Sequence, residues 1–206
     1  MPGPALEMPT LRARPLAALP PGTVNVGRSL LLVMSGCLGG AYYRDKLDTS
    51  ACGSDYAPDA PNLSPIVVTL SRALGFDKVG LQGLNASPAS GVIDLRVSGN
   101  RGATSLVFAT KLAFGTIGPR PADTRFAPAD LGVDSSGYGL QTLDENANVL
   151  EQISWLDLYA SSGISTLTAA HTYTAIALGP DPLLVKKSWW NKAAFALVDN
   201  DPTRKE

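Results

Sequence analysis

VGLQGLNASPASGVIDLRVSGN, residues 79–100, sets the fold of this chain. In its second half, apolar and polar side chains alternate strictly from Ile93 to Ser98, which is the period of a strand with one buried face and one solvent face. The tetrapeptide Asn85-Ala86-Ser87-Pro88 predicts a tight corner before this strand, because Asn and Ser bond their own backbone and Pro fixes the turn. The stretch therefore predicts two paired strands that act as scaffold.

Turn residues divide the rest of the chain into short segments. The 206 residues include twenty Gly and sixteen Pro, and apolar runs recur between them roughly every 8–12 residues. DENAN at 144–148 predicts a hairpin turn between strands at 131–143 and 149–158, and TYTAIAL at 172–178 predicts another strand. The proline-rich residues 119–128 predict an exposed loop. The pattern predicts an all-β antiparallel sandwich or barrel of about seven or eight strands.

Composition argues against several function classes. Seventeen basic and eighteen acidic residues leave a net charge of −1 without a basic stripe, so we expect no nucleic-acid partner. Two cysteines and one histidine cannot assemble a usual zinc site. The aspartates at 45, 48, 55 and 59 do not have the spacing of a calcium loop and fit a solvated linker. We predict no metal and no cofactor.

The N-terminal segment, residues 1–36, has the layout of an export signal. It carries Arg12, Arg14 and Arg28, then the apolar run LLLVM at 30–34, then small residues before Cys37. The run is too short to span a bilayer. MSGC at 34–37 resembles the lipobox of bacterial lipoproteins, which implies cleavage before Cys37 and a lipid on its thiol. The alternative is a disordered tail with a chance apolar run.

The next segment, residues 37–64, is rich in Gly, Asp, Ser and Pro and predicts a flexible tether. Cys52 lies within it, unpaired if Cys37 is lipidated and otherwise able to form a disulfide with Cys37 in an oxidising compartment. The β-domain is predicted at 65–201, with a tail at 202–206. Residues 66–76 fit a strand or turn that leads into the domain.

Five short segments occur in the order of a known domain. They are LNASP at 84–88, VIDLRVSG at 92–99, LAFGT at 112–116, GYGLQTLD at 137–144 and LTAAHTYTAIALGP at 167–180. This order resembles the bacterial secreted family called domain of unknown function 4397, with Asn85 where that family usually has His. The resemblance implies an immunoglobulin-like or transthyretin-like β-sandwich that is exported to the envelope, often as a lipoprotein. It implies no catalytic residues, because none are established for the family.

The ionisable residues do not form a recognisable catalytic pattern. His171 is the only histidine, and we predict that it lies in a turn or on the surface, since a general base needs a positioned partner. Asp94 and Asp157 lie in strand-like runs, where outward charge is expected. Arg120 and Arg125 are predicted to lie in a solvated connection.

The pair Trp189-Trp190 is the candidate binding surface. Adjacent residues on a strand face opposite sides, so one Trp can fill the core while the other faces solvent beside Lys187. Such a surface would suit a sugar ring, an anionic lipid headgroup or a protein. The alternative is that both rings pack against the edge of the sandwich.

Together these features predict a non-enzymatic protein of the bacterial cell envelope. A lipid on Cys37 would hold it to a membrane, at the outer membrane or cell surface, and the β-sandwich would serve binding, adhesion or a structural role, with an envelope polysaccharide or protein as partner. One alternative is a hydrolase that acts on a cell-surface polymer. Another is a secreted or anchored structural protein that assembles with copies of itself through strand edges.

Overall fold

The structure, a computed structural model, describes residues 21, 24, 29–35, 64–72, 77–98, 105–131, 138–179 and 195–201. The strands in these ranges are β1 (Ser29–Ser35), β2 (Ser64–Leu70), β3 (Val79–Asn85), β4 (Ile93–Ser98), β5 (Ser105–Leu112), β6 (Ile117–Phe126), β7 (Tyr138–Leu143), β8 (Val149–Ser154), β9 (Thr172–Ala177) and β10 (Phe195–Asp199). The helices there are α1 (Trp155–Ser162) and a 3-10 turn at Pro128–Leu131. The prediction of an all-β chain is confirmed.

Two four-stranded sheets form the body of the fold. The first has the order β10-β9-β3-β6 and the second the order β5-β4-β7-β8. All neighbours are antiparallel except β3 and β9, which are parallel. The inner faces meet in one core, where Leu81 and Tyr173 of the first sheet join Leu95 and Leu140 of the second. Packing the two apolar faces against each other removes both from water. This burial of apolar surface is the main favourable free-energy term of such a fold.

A third layer covers the other face of the first sheet. Strands β1 and β2 pair antiparallel from Ser29↔Leu70 to Ser35↔Ser64, and we call this two-stranded sheet the outer layer. Its inward residues Ile66, Val68 and Leu70 form a second apolar cluster with Leu84 and Ile176 of the first sheet. Strands β3 and β9 are consequently buried at every position, as parallel strands covered on both faces usually are.

The predictions made for residues 79–100 are confirmed only in part. The alternation in β4 is confirmed, with Ile93, Leu95 and Val97 buried and the polar residues between them partly exposed. The predicted pairing of the two strands is wrong, because β3 and β4 belong to different sheets. They face each other across the core instead: a Cβ on Gly83 would clash with Leu95 Cδ1. Only glycine leaves room there for that leucine.

The corner between these strands is built as predicted around Asn85, which is fully buried. Its Oδ1 accepts a hydrogen bond from the Ser87 N–H at 3.0 Å. Its Nδ2 donates to the carbonyl oxygens of Gly91 at 2.8 Å and Leu112 at 3.0 Å. One amide side chain therefore holds the crossing from the first sheet to the second.

The prediction of an exposed loop at residues 119–128 is wrong for most of that segment. It continues strand β6 to Phe126. The ladder between β3 and β6 is irregular, with Leu81 opposite Asp123 and Gly83 opposite Gly118. The prolines at 119 and 121 lie within that irregular stretch of an edge strand, the position where a sheet tolerates residues without an N–H.

The hairpin around residues 144–148 is confirmed, although its second strand is shorter than predicted. Asp144 Oδ1 accepts the N–H groups of Asn146 and Asn148, each at 2.8 Å. The Asn148 side-chain amide also donates to this carboxylate, and chiefly for that reason the pKa of Asp144 is lowered. The returning strand ends at Ser154, where helix α1 begins.

Helix α1 occupies residues that the sequence pattern assigned to a strand. Ser154 Oγ accepts the N–H of Asp157 at 3.1 Å and donates to its Oδ2 at 2.6 Å, and Gly163 closes the helix with φ of 68°. Asp157 is therefore helical, and its predicted place in a strand is wrong. A Ser-x-x-Asp cap followed by glycine was the local signal for this helix.

The outer layer generates a prediction about stability. Leu84→Ala empties part of the second apolar cluster and should lower the free energy of unfolding by about 2–5 kcal/mol. Leu32→Ala, on the outward face of β1 with 62% exposure, should change it by less than about 0.5 kcal/mol. Equilibrium urea denaturation measures both, and equal losses would contradict a buried second cluster.

Candidate functional site

The residues singled out from the sequence as functional lie outside the described residues. They are Cys37, Trp189, Trp190 and Lys187. Cys52 and the aspartates at 45, 48, 55 and 59 lie outside them as well. The structure therefore leaves the lipidation site and the tryptophan surface as predictions.

The densest group of ionisable and polar side chains in the described ranges lies where β10 ends. We call it the strand-end cluster, and it consists of His171, Asp199, Asn200, Asp201 and Arg72. It gathers the turn before β9, the residues after β10 and the residue two places beyond β2. Sequence spacing could not have predicted this cluster, because Arg72 and Asp201 are far apart in the chain. Only the pairing and packing of the sheets place them side by side.

His171 and Asp199 form a partly buried pair. His171 Nδ1 lies 2.9 Å from Asp199 Oδ2, with side-chain exposures of 10% and 24%. The imidazole stacks on Tyr173 with ring centroids 6.2 Å apart. The predicted turn position is confirmed, because the His171 N–H donates to Thr168 O. The predicted surface position is wrong, because His171 is buried. Strand β9 begins at the next residue and places the imidazole ring beside β10.

Asp201 and Arg72 connect the first sheet to the outer layer. Asp201 Oδ2 accepts the Thr172 N–H at 3.2 Å, and its Oδ1 lies 3.7 Å from Arg72 Nε. Arg72 in turn donates to Ser29 Oγ from Nε at 3.1 Å and Nη2 at 2.9 Å. Ser29 Oγ donates to Asn200 O at 3.3 Å. The start of β1 is thus tied to the end of β10.

Beneath this surface lies a buried network of amides and hydroxyls. Asn200 Nδ2 donates to Ser71 O at 2.8 Å and to Gln82 Oε1 at 3.0 Å. Thr174 Oγ1 donates to Asn200 Oδ1 at 2.9 Å, and Ser71 N–H donates to Gln82 Oε1 at 2.8 Å. A buried network whose members satisfy one another specifies one arrangement, because any other leaves a desolvated polar group without a partner.

Three of the remaining candidates, Asp94, Asp157 and Arg125, bond to the scaffold. Asp94 Oδ1 accepts the Lys111 N–H at 2.7 Å, and Asp157 Oδ2 accepts the hydroxyl of Ser154, the N-cap of α1. Arg125 donates from Nε to Asp123 Oδ2 at 2.7 Å and lies 5.7 Å from the Phe126 ring centroid. Arg120 and Arg125 are exposed, as predicted, but they belong to strand β6 and not to a connecting loop.

The chemistry available to the strand-end cluster follows from these bonds. A histidine held by a carboxylate is the orienting half of an activated nucleophile, and the other half is a hydroxyl or thiol in reach of the free ring nitrogen. Within the described part of the chain, Asp199 is the only hydrogen-bond partner of the His171 ring. The same residues contain no group of three His, Cys, Asp or Glu placed to hold a metal ion.

Comparison with known proteins gives no match, whether with family models, curated proteins or solved structures. The resemblance to the secreted family stays a prediction that rests on five short motifs. Among the described residues, no helix is long and apolar enough to cross a membrane.

The buried network generates a prediction about Asn200. Asn200→Ala leaves Gln82 and Thr174 without their shared partner and should lower the free energy of unfolding by about 1–3 kcal/mol. Asn146→Ala, in the exposed turn after β7, serves as the matched control and should cost less than about 0.5 kcal/mol. Urea denaturation of both variants checks this, and an Asn200→Ala protein as stable as the control would contradict the network.

Proposed function

We propose that this chain is a non-enzymatic lipoprotein of the bacterial cell envelope whose β-domain serves binding, adhesion or a structural role. A lipid on Cys37 anchors it, and the segment 37–64 separates the anchor from the domain. The partner is an envelope polysaccharide or protein. An immunoglobulin-like or transthyretin-like sandwich, as in the secreted family it resembles, is the architecture we propose for the two four-stranded sheets.

One observation supports the non-enzymatic part most directly. The groups that a hydrolase would use as acid, base or orienting residue are bonded into the scaffold at the ends of strands and helices. Asp199 holds His171, Asp157 accepts the hydroxyl of the N-cap residue Ser154, and Asp94 accepts a main-chain N–H in the neighbouring strand. A hydrolase that used the His171–Asp199 pair would also need a hydroxyl or thiol beside the other ring nitrogen, and among the described residues Asp199 is the only hydrogen-bond partner of the ring.

The anchor has a consequence for the fold. Cleavage before Cys37 removes residues 1–36, and these include strand β1. The apolar run that resembles a signal core is the same run that pairs with β2. In this proposal, the precursor carries the outer layer in full, and the mature lipoprotein carries only β2 of it.

Metabolic labelling with a palmitate analogue tests the anchor in a bacterial host. The wild-type chain should take up the label, Cys37→Ala should lose it, and Cys52→Ala should keep it. The Cys52→Ala variant is the matched control, because it removes the other thiol of the chain. A wild-type chain without label, or label retained in Cys37→Ala, would refute the lipoprotein function.

Capture of envelope material by the full chain tests the binding role at the tryptophan surface. Trp190→Ala should weaken capture of glycan or envelope protein roughly 30-fold, the effect of losing about 2 kcal/mol at an aromatic contact. Leu156→Ala removes another large apolar side chain, 66% exposed on α1, and should leave capture unchanged. Undiminished capture by Trp190→Ala would contradict the proposal that the tryptophan pair is the binding surface.

A further inference from the structure

Strand β1 occupies a site with defined polar and apolar contacts. On its inward face, Leu31 and Val33 pack against the second apolar cluster, and Ser35 Oγ donates to Ala86 O. On its outward face, Leu32 and Met34 are 62% and 41% exposed. The strand is therefore held by alternate residues and by the seven-residue register with β2.

Removing β1 would open this site, whose walls are β2 and the face of the first sheet that carries the second apolar cluster. The main-chain groups of β2 that pair with β1 lose their partners, and the apolar cluster loses the cover of Leu31 and Val33. Arg72 loses the hydroxyl of Ser29, and Ala86 O loses that of Ser35. Strand β2 pairs only with β1 among the described residues, so its main-chain groups would then be free to pair with another strand.

We propose that the site filled by β1 is a strand-accepting site, and that in the lipidated protein it binds an extended segment of another polypeptide antiparallel to β2. The inference rests on the proposed lipoprotein function, because cleavage before Cys37 is what vacates the site. Strand β1 then acts as an internal occupant of the precursor. It keeps β2 and the second cluster covered until the chain is processed.

The walls of the site define the chemistry of the segment that fits. It needs apolar side chains at the two alternate positions now held by Leu31 and Val33, and a small hydroxyl residue at the position of Ser35. A hydroxyl or carboxylate at the position of Ser29 would meet Arg72. The β1 strand of a second processed copy is excluded as occupant, because each processed copy has lost its own.

In the test, an added protease separates β1 from the rest of the chain, so the result does not depend on processing in the cell. A protease site is inserted between Gly36 and Cys37 in the full chain, and the protein is cleaved in its folded state. A fluorescent peptide with residues 29–35, flanked by lysines for solubility, is then added in large excess over the released strand. Fluorescence anisotropy should show binding to the cleaved protein and none to the uncut protein, whose site is filled by its own β1.

Two altered peptides identify which face carries the binding. A peptide with Leu31→Asp and Val33→Asp should bind at least about a hundredfold more weakly, because it would bury two unpaired charges. A peptide with Leu32→Asp, at the exposed position, should keep the parent affinity. No binding of the parent peptide after the cut, or equal weakening by both changes, would overturn the proposal.

This result is separate from that of the labelling experiment. Peptide binding reports on the site alone, because an added protease makes the cut. Palmitate labelling reports whether the cell makes the equivalent cut before Cys37. Binding without labelling would sustain the site and refute the lipoprotein function, whereas labelling without binding would refute the strand-accepting site alone.

Discussion

Burial of β3 and β9 on both faces is the condition on which the rest of the structure depends. A strand covered on both sides buries its apolar residues on both faces, and each polar side chain that it buries without a partner costs free energy. Gln82 and Thr174 are fully buried and point towards the outer layer. Asn200, directly after β10, bonds both side chains, and they also bond each other, so this amide adds to the main-chain ladder that aligns the central strands.

The same demand explains how the layers are joined. The outer layer contributes apolar side chains along its length and polar contacts at its ends, where Ser29 donates to Asn200 O and Ser35 donates to Ala86 O. The corner at Asn85 joins the two four-stranded sheets by the same device, an amide that bonds main-chain groups of separate segments. Apolar packing holds the layers together, and a few buried polar groups fix their alignment.

Local features of the fold were predictable from the sequence, and the choice of partners was not. The alternation in β4, the Asn85 corner and the turn at Asp144 depend on neighbours within a few residues, so the sequence carries their signal. The pairing of β3 with β9, the strand character of residues 119–126 and the network at Asn200 depend on contacts between distant segments. Helix α1 had a local signal in Ser154, Asp157 and Gly163 that the apolar pattern of the strand before it obscured.

The parallel pairing of β3 with β9 also constrains when the chain can fold. Gln82 and Thr174 are 92 residues apart. Closing so long a loop costs conformational entropy before the contacts between the two strands can stabilise the fold. During synthesis, the central pair cannot close until β9 has left the ribosome, and β10 follows later still. We expect the nascent chain to stay open for most of its translation, with the apolar faces of β3 and β4 uncovered until β9 is made.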